Sequence, residues 1–225
     1  MIETIRCVSP VDGRVYAERP AMTPDAARQA VEAAQAAQRD WAARPLQERV
    51  TRVMAGIEAL AAMNDIVVRE LAWQMGRPVR YGGEIGGVRE RAAHMSAIAE
   101  ATLAPKVIED SATARRVLTR EPVGVVLVIA PWNYPYLTAV NTIVPALIAG
   151  NAVVLKHARQ TLLAGERLAE AFHAGGVPAA VFQNLVLDHA TTAALIAARR
   201  FDFVNFTGSV AGGREIERAA AGTFT

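Results

Sequence analysis

From residue 123 onward, short apolar runs alternate with helical segments at a nearly constant spacing, and this rhythm leaves few folds open. The run 123–129, Val-Gly-Val-Val-Leu-Val-Ile, has no polar face, the pattern of a parallel strand covered on both sides. Similar runs follow at 152–155, 181–187 and 203–206, with helical stretches 137–149, 161–174 and 190–199 between and around them. The strand starts recur near the βαβ repeat of about 30 residues. The fold class is therefore α/β, with a doubly wound, mostly parallel, Rossmann-like sheet. Ligands of such sheets bind beyond the carboxyl ends of the strands, so the turns at those ends are where chemistry is sought.

The first half reads as helical. Thr23-Pro24-Asp25 combines a capping hydroxyl, a proline suited to the first turn and an acid near the positive end of the helix dipole. Ala27, Ala30, Val31 and Ala34 then share one face. A second stripe runs through Val50, Val53, Met54, Ile57 and Leu60. A third helix is expected to be capped by Asn64 or Asp65 and stopped by Gly76 and Pro78, and a fourth to span 84–103. The division expected is 1–110, an N-terminal helical part; 111–122, an extended arm; and 123–225, the Rossmann-like region. The arm alternates Arg115, Val117 and Thr119 with Arg116, Leu118 and Arg120. So many arginines suit an exposed oligomerisation strand that pairs with another subunit or domain.

Composition narrows the class. With 52% hydrophobic and 20% charged residues, the chain has material for a sizeable core. A net charge of +2 gives no broad field for nucleic acid or an anionic membrane, and no apolar stretch has the length of a membrane span. One cysteine, Cys7, excludes an internal disulfide framework, and the four histidines show no metal-ligand spacing. No metal is expected. A reducing, cytoplasmic location follows as the default. Among 24 basic residues only Lys106 and Lys156 are lysines, which draws attention to the second, at a strand end.

Three turns carry candidate chemistry. After the first strand, Pro131-Trp132-Asn133 places an amide where it can donate to an oxygen gaining negative charge, or else cap the next helix. After the second, Lys156 can bond ribose hydroxyls or a phosphate, or lie exposed; His157 beside it is expected to face solvent or the turn. After the fourth, Gly208 lets a backbone approach a ligand, and Ser209 opens a helix whose first amides suit a phosphate. The usual Gly-x-Gly-x-x-Gly fingerprint is absent after the first strand.

Taken in this order, Pro131-Trp132-Asn133, then Leu155-Lys156, then Phe206-Thr207-Gly208-Ser209 resemble the aldehyde dehydrogenase superfamily over nearly the whole chain. The resemblance implies that Asn133 stabilises the oxyanion formed when a thiolate adds to an aldehyde. It implies that Ile129 and Trp132 line the cofactor's path, that Lys156 bonds the adenosine ribose, and that Gly208 and Ser209 flank the pyrophosphate. The cofactor implied is NAD or NADP. Many members carry a glutamate three residues after the lysine, where it bonds the ribose hydroxyls; here Arg159 occupies that place, which leans the expectation to NADP. The loop from Leu185 to Thr192 lacks the glycines common there. The family's base lies in a Glu-Leu-Gly-Gly motif expected shortly beyond Thr225, with the nucleophilic cysteine further on, and Cys7 precedes the first helix. The resemblance thus implies the N-terminal cofactor-binding portion of an enzyme that oxidises an aldehyde to a carboxylic acid. Its catalytic domain would be absent from this chain, which would be inactive alone, while the full-length form would be a homo-oligomer. A non-catalytic dinucleotide-binding or subunit-interaction module, and a reductase acting on an acyl phosphate or thioester, remain the alternatives.

Overall fold

A hairpin that the sequence pattern did not announce opens the chain. In the computed structural model, which describes residues 3–223 and Thr225, β1 (Thr4–Val8) pairs antiparallel with β2 (Val15–Pro20). A lone two-stranded hairpin is marginal in water. This one is anchored by Cys7 and Ala17, which face each other across the ladder and are buried against Leu162 and Leu163.

The helical half follows largely as expected. Helix α1 (Pro24–Ala42) is capped by the Thr23 hydroxyl, which accepts from the Ala26 amide at 3.2 Å, and it buries Ala27, Val31, Ala34 and Trp41. The Trp41 indole N–H donates to the Leu147 carbonyl at 2.9 Å, giving the large ring a satisfied polar edge inside the core. Helices α2 (Leu46–Ala62) and α3 (Asn64–Met75) are separated by Met63 alone. Asn64 is already the first helical residue, so neither it nor Asp65 caps α3. Gly76 ends that helix in the left-handed conformation, at φ 75°. A 3-10 turn (Val79–Tyr81) leads to α4 (Ile85–Leu103).

The extended arm expected over 111–122 is shorter and has a partner in its own chain: β4 (Arg115–Leu118) pairs antiparallel with β3 (Lys106–Asp110). Every residue of β4 is exposed, Val117 and Leu118 included. The arginine-rich alternation concealed β3, whose own sequence, Lys-Val-Ile-Glu-Asp, carries a weak strand signal.

The sheet then forms. Strand β5 (Val125–Ala130) leads through α5 (Pro135–Ile148) to β6 (Ala152–His157). A 3-10 turn (Arg159–Thr161) and α6 (Leu162–Ala174) lead to β7 (Phe182–Asn184). Helix α7 (His189–Ala197), β8 (Phe203–Phe206) and α8 (Val210–Ala220) complete the series. All four strands are parallel, in the order β7-β6-β5-β8. Every residue of β5 and β6 is buried, which explains their unbroken apolar runs.

The connections from β5 through β6 to β7 step one way across the sheet, and the connection to β8 steps back past β5. Right-handed crossovers therefore put α5 and α6 on one face and α7 on the other. Helix α1 joins α7 there, the Gln35 amide donating to the Arg200 carbonyl at 3.2 Å. The reversal of winding between β5 and β8 opens a crevice at their carboxyl ends. Strand β7 is shorter than the apolar run 181–187 suggested. Its ladder ends at Asn184, and the chain from Leu185 to Asp188 turns along the rim of that crevice. Among the described residues no helix is long and apolar enough to cross a membrane.

Candidate functional site

The crevice at the switch point is a cavity of ≈ 710 Å³. All seven residues singled out in the sequence line it: Ile129 at the end of β5 with Trp132 and Asn133 after it, Lys156 at the end of β6 with Arg159 after it, and Gly208 and Ser209 after β8. The topology brings them together because each lies at or just beyond the carboxyl end of a parallel strand, at the same end of the sheet. Sequence reasoning missed Glu3 and Ile5 from the first hairpin, and it noted the loop from Leu185 onward only as poor in glycine, without placing Leu185 to His189 in the wall. Glycine-poor and apolar, the latter segment resembles a strand in sequence, and only its place beyond the ladder shows that it borders a cavity.

Lys156 is the most constrained charge. It is the fifth residue of β6, only 9% of its surface is exposed, and its ammonium has no hydrogen-bond partner among the described residues. Burial pushes its pKa below lysine's ordinary value, and the nearby negative charge of Asp188 opposes that shift in part. A desolvated ammonium facing a cavity is stabilised by any oxygen acceptor that enters. Arg159, in the 3-10 turn beyond, is exposed and forms no ion pair among the described residues, so its charge is available at the mouth.

His157 departs from expectation. It does not face solvent; it is buried beneath the turn that follows β5. Its Nε2–H donates to the Pro135 carbonyl at 3.1 Å, and its Nδ1 accepts from the Thr161 hydroxyl at 3.2 Å. A carbonyl can only accept, so Nε2 carries a proton, and in the neutral ring that burial favours Nδ1 is left to accept from the hydroxyl. Burial pushes its pKa down to about 4, against the upward pull of the Pro135 carbonyl. The strand alternation places Lys156 and His157 on opposite faces, one toward the cavity and one into the protein.

Asn133 is exposed at the rim. Its Oδ1 accepts from the Tyr134 amide at 3.0 Å, which orients the group and leaves Nδ2 with no partner among the described residues. It does not cap α5: the free amides of that helix's first turn, at Tyr136 and Leu137, donate instead to Glu84 Oε2 at 3.1 and 2.8 Å. Ser209 caps α8, its Oγ accepting from the Gly212 amide at 3.1 Å. Gly208 has a packing reason as well. A Cβ there would come within 2.6 Å of the Phe206 ring, which lies against the turn.

Cys7 lies outside the cavity lining. It is fully buried, its thiol faces the Gln160 carbonyl at 3.1 Å, and burial raises its pKa.

Comparison with known proteins fits this geometry. The family model described as the aldehyde dehydrogenase family matches residues 1–225. The chain belongs to the aldehyde dehydrogenase family. A 4,4'-diapolycopene aldehyde oxidase from a Methylomonas species is 34% identical over 97% of the chain and 42% of its own length. A 3,6-anhydro-alpha-L-galactose dehydrogenase from Streptomyces coelicolor is 34% identical over 95% of the chain and 44% of its own length. Among solved aldehyde dehydrogenases, an NAD-dependent benzaldehyde dehydrogenase from Corynebacterium glutamicum superposes with a TM-score of 0.90 at 27% identity. It covers 98% of this chain and 48% of its own. An NADP-dependent glyceraldehyde-3-phosphate dehydrogenase from Bacillus halodurans, complexed with NADP, gives 0.89 at 28% identity, covering 98% and 48%. The chain spans less than half the length of these relatives.

Proposed function

We propose that this chain is the dinucleotide-binding part of an NAD(P)-dependent aldehyde dehydrogenase, which oxidises an aldehyde to a carboxylic acid. The observation that carries the reading is Lys156: a largely buried lysine lining the cavity at the switch point of a parallel sheet, its ammonium without a partner among the described residues. A ribose hydroxyl or phosphate oxygen satisfies it. The first amides of α8, behind Ser209, suit the pyrophosphate, and Ile129 and Trp132 line the path to the nicotinamide. The dinucleotide supplies the hydride acceptor. The chain's own contribution is to bind and orient it, and to offer the free Nδ2–H of Asn133 to an oxygen that becomes negative.

Arg159 favours NADP, because a cation at the mouth attracts a 2′-phosphate where an acid would repel it. The chain alone does not turn over aldehyde in this reading. Its one thiol, Cys7, is buried outside the cavity with a raised pKa, the reverse of an activated nucleophile. The division into a helical part to residue 110, an arm over 111–122 and a nucleotide-binding region from 123 belongs to the same proposal. So do the cytoplasmic setting and the homo-oligomer, whose interface would use the exposed β3–β4 hairpin. Fluorescence titration with NADPH and NADH tests the reading. Saturable binding with NADPH the tighter, and no steady aldehyde oxidation, is expected; no binding of either would refute it.

A further inference from the structure

The turn that carries Asn133 is held from outside the sheet. Helix α5 has Tyr134 at its N-cap position, with no side-chain cap of its own, and Pro135 in its first turn. The amides of Tyr136 and Leu137 are instead satisfied by the carboxylate of Glu84, more than fifty residues earlier in the chain. The other oxygen of that carboxylate is paired with Arg77. A second nitrogen of the same guanidinium donates to the Asn133 carbonyl at 2.8 Å, and its Cζ lies 5.2 Å from the centroid of the Tyr134 ring. Both side chains are largely withdrawn from water, with 12% and 3% of their surfaces exposed. Glu84 reaches this place with a left-handed backbone, φ 68°, an unfavourable conformation for a residue with a Cβ and a form of strain that collects at functional sites.

We propose that the Arg77–Glu84 pair is a positioning clamp for the Asn133 turn, fixing residues 133–137 so that the free Nδ2–H of Asn133 and the ring of Trp132 keep their direction into the cavity. The inference rests on the proposed function for what the turn acts upon. Three features single the pair out from an ordinary helix cap. One carboxylate serves two successive amides of α5, one guanidinium holds the carbonyl of the candidate oxyanion donor, and the two are joined to each other. Neither residue lines the large cavity. They act through Asn133 and Trp132 and touch no ligand there. The clamp joins the loop before α4 to the end of β5, so the helical half of the chain sets the geometry of a site built on the sheet.

The test compares Arg77→Met, Arg77→Lys and Glu84→Gln with Thr23→Ala, which removes the cap of α1 and serves as a matched loss of stability away from the site. Three readouts are followed: melting temperature, amide hydrogen exchange with the NMR signals of the Asn133 side-chain amide and the Trp132 indole, and affinity for NADPH against AMP. Glu84→Gln is expected to speed exchange at Tyr136 and Leu137 about tenfold relative to the global change. Arg77→Met is expected to shift the Asn133 and Trp132 signals and weaken NADPH several-fold while AMP changes less than twofold. Arg77→Lys recovers part of both effects, and Thr23→Ala produces neither. The clamp is overturned if Arg77→Met and Glu84→Gln behave as Thr23→Ala does, or if NADPH and AMP weaken in parallel. Should the wild-type chain bind neither nucleotide, the proposed function fails, and the exchange and NMR readouts alone decide the clamp.

Discussion

Replacing His157 with glutamine removes a titration while keeping a donor for the Pro135 carbonyl. In the native protein the buried imidazole is neutral, with its pKa moved from 6.5 down to about 4. Between those values the unfolded chain takes up a proton that the folded chain refuses. The contribution is therefore fully present above pH 6.5 and is lost as pH falls toward 4. At about 1.4 kcal/mol per pKa unit, the full window amounts to about 3 kcal/mol, of which about 2 kcal/mol has gone by pH 4.5. Urea unfolding of the wild type and of His157→Gln at pH 7 and pH 4.5 measures this directly, because carboxylates common to both proteins cancel in the difference. The wild type should lose about 2 kcal/mol more than the variant on acidification. Equal losses would show that the imidazole is protonated in the folded state, and with it that the neutral tautomer bridging Pro135 and Thr161 is wrong.

Three other substitutions address the cavity and the packing beneath it. Lys156→Met should leave the melting temperature unchanged or raise it, since a desolvated charge is removed, yet weaken dinucleotide binding about 10- to 100-fold in fluorescence titration. Unchanged affinity would mean that Lys156 does not contact the ligand. Arg159→Glu should invert the NADPH-over-NADH preference in the same assay, and retention of tight NADPH binding would count against a 2′-phosphate contact there. Gly175→Ala places a methyl within 2.7 Å of the Arg52 carbonyl and closer still to the Gly56 amide, so α2 and α6 must part. A loss of about 2 kcal/mol follows, seen in a chain of this size as a melting point roughly 4–8 °C lower; an unchanged melting point would contradict the close approach.

The sheet and its cavity were legible because their signals are local and repeated. Val125 to Ala130 and Ala152 to His157 are apolar on both faces, so strand identity survives any error of register, and the βαβ spacing dictates which ends gather. Once those ends were located, Lys156 and Asn133 followed from their positions alone. What stayed hidden depends on tertiary contact. Strand β1 has one buried residue, Cys7, whose burial comes from α6, 155 residues later. His157 looked like a turn residue because nothing local says that Pro135 and Thr161 close over it. Glu84 looked like the start of its own helix, whereas its carboxylate caps a different one, and no period or motif links residue 84 to residues 136 and 137. Strand β7 was overestimated because an apolar stretch that lines a cavity reads the same as one that lines a sheet.

Cys7 also has a practical consequence. Because the chain has one thiol, sealed between the first hairpin and the start of α6, a thiol-specific reagent can react at one place only, and only while that seam is apart. The modification rate then times how often the hairpin lifts away. With Glu3 and Ile5 on the same hairpin and in the wall of the cavity, a ligand that fills the cavity should slow that clock. The sulfur thus reports occupancy of a site it never touches, without any added label.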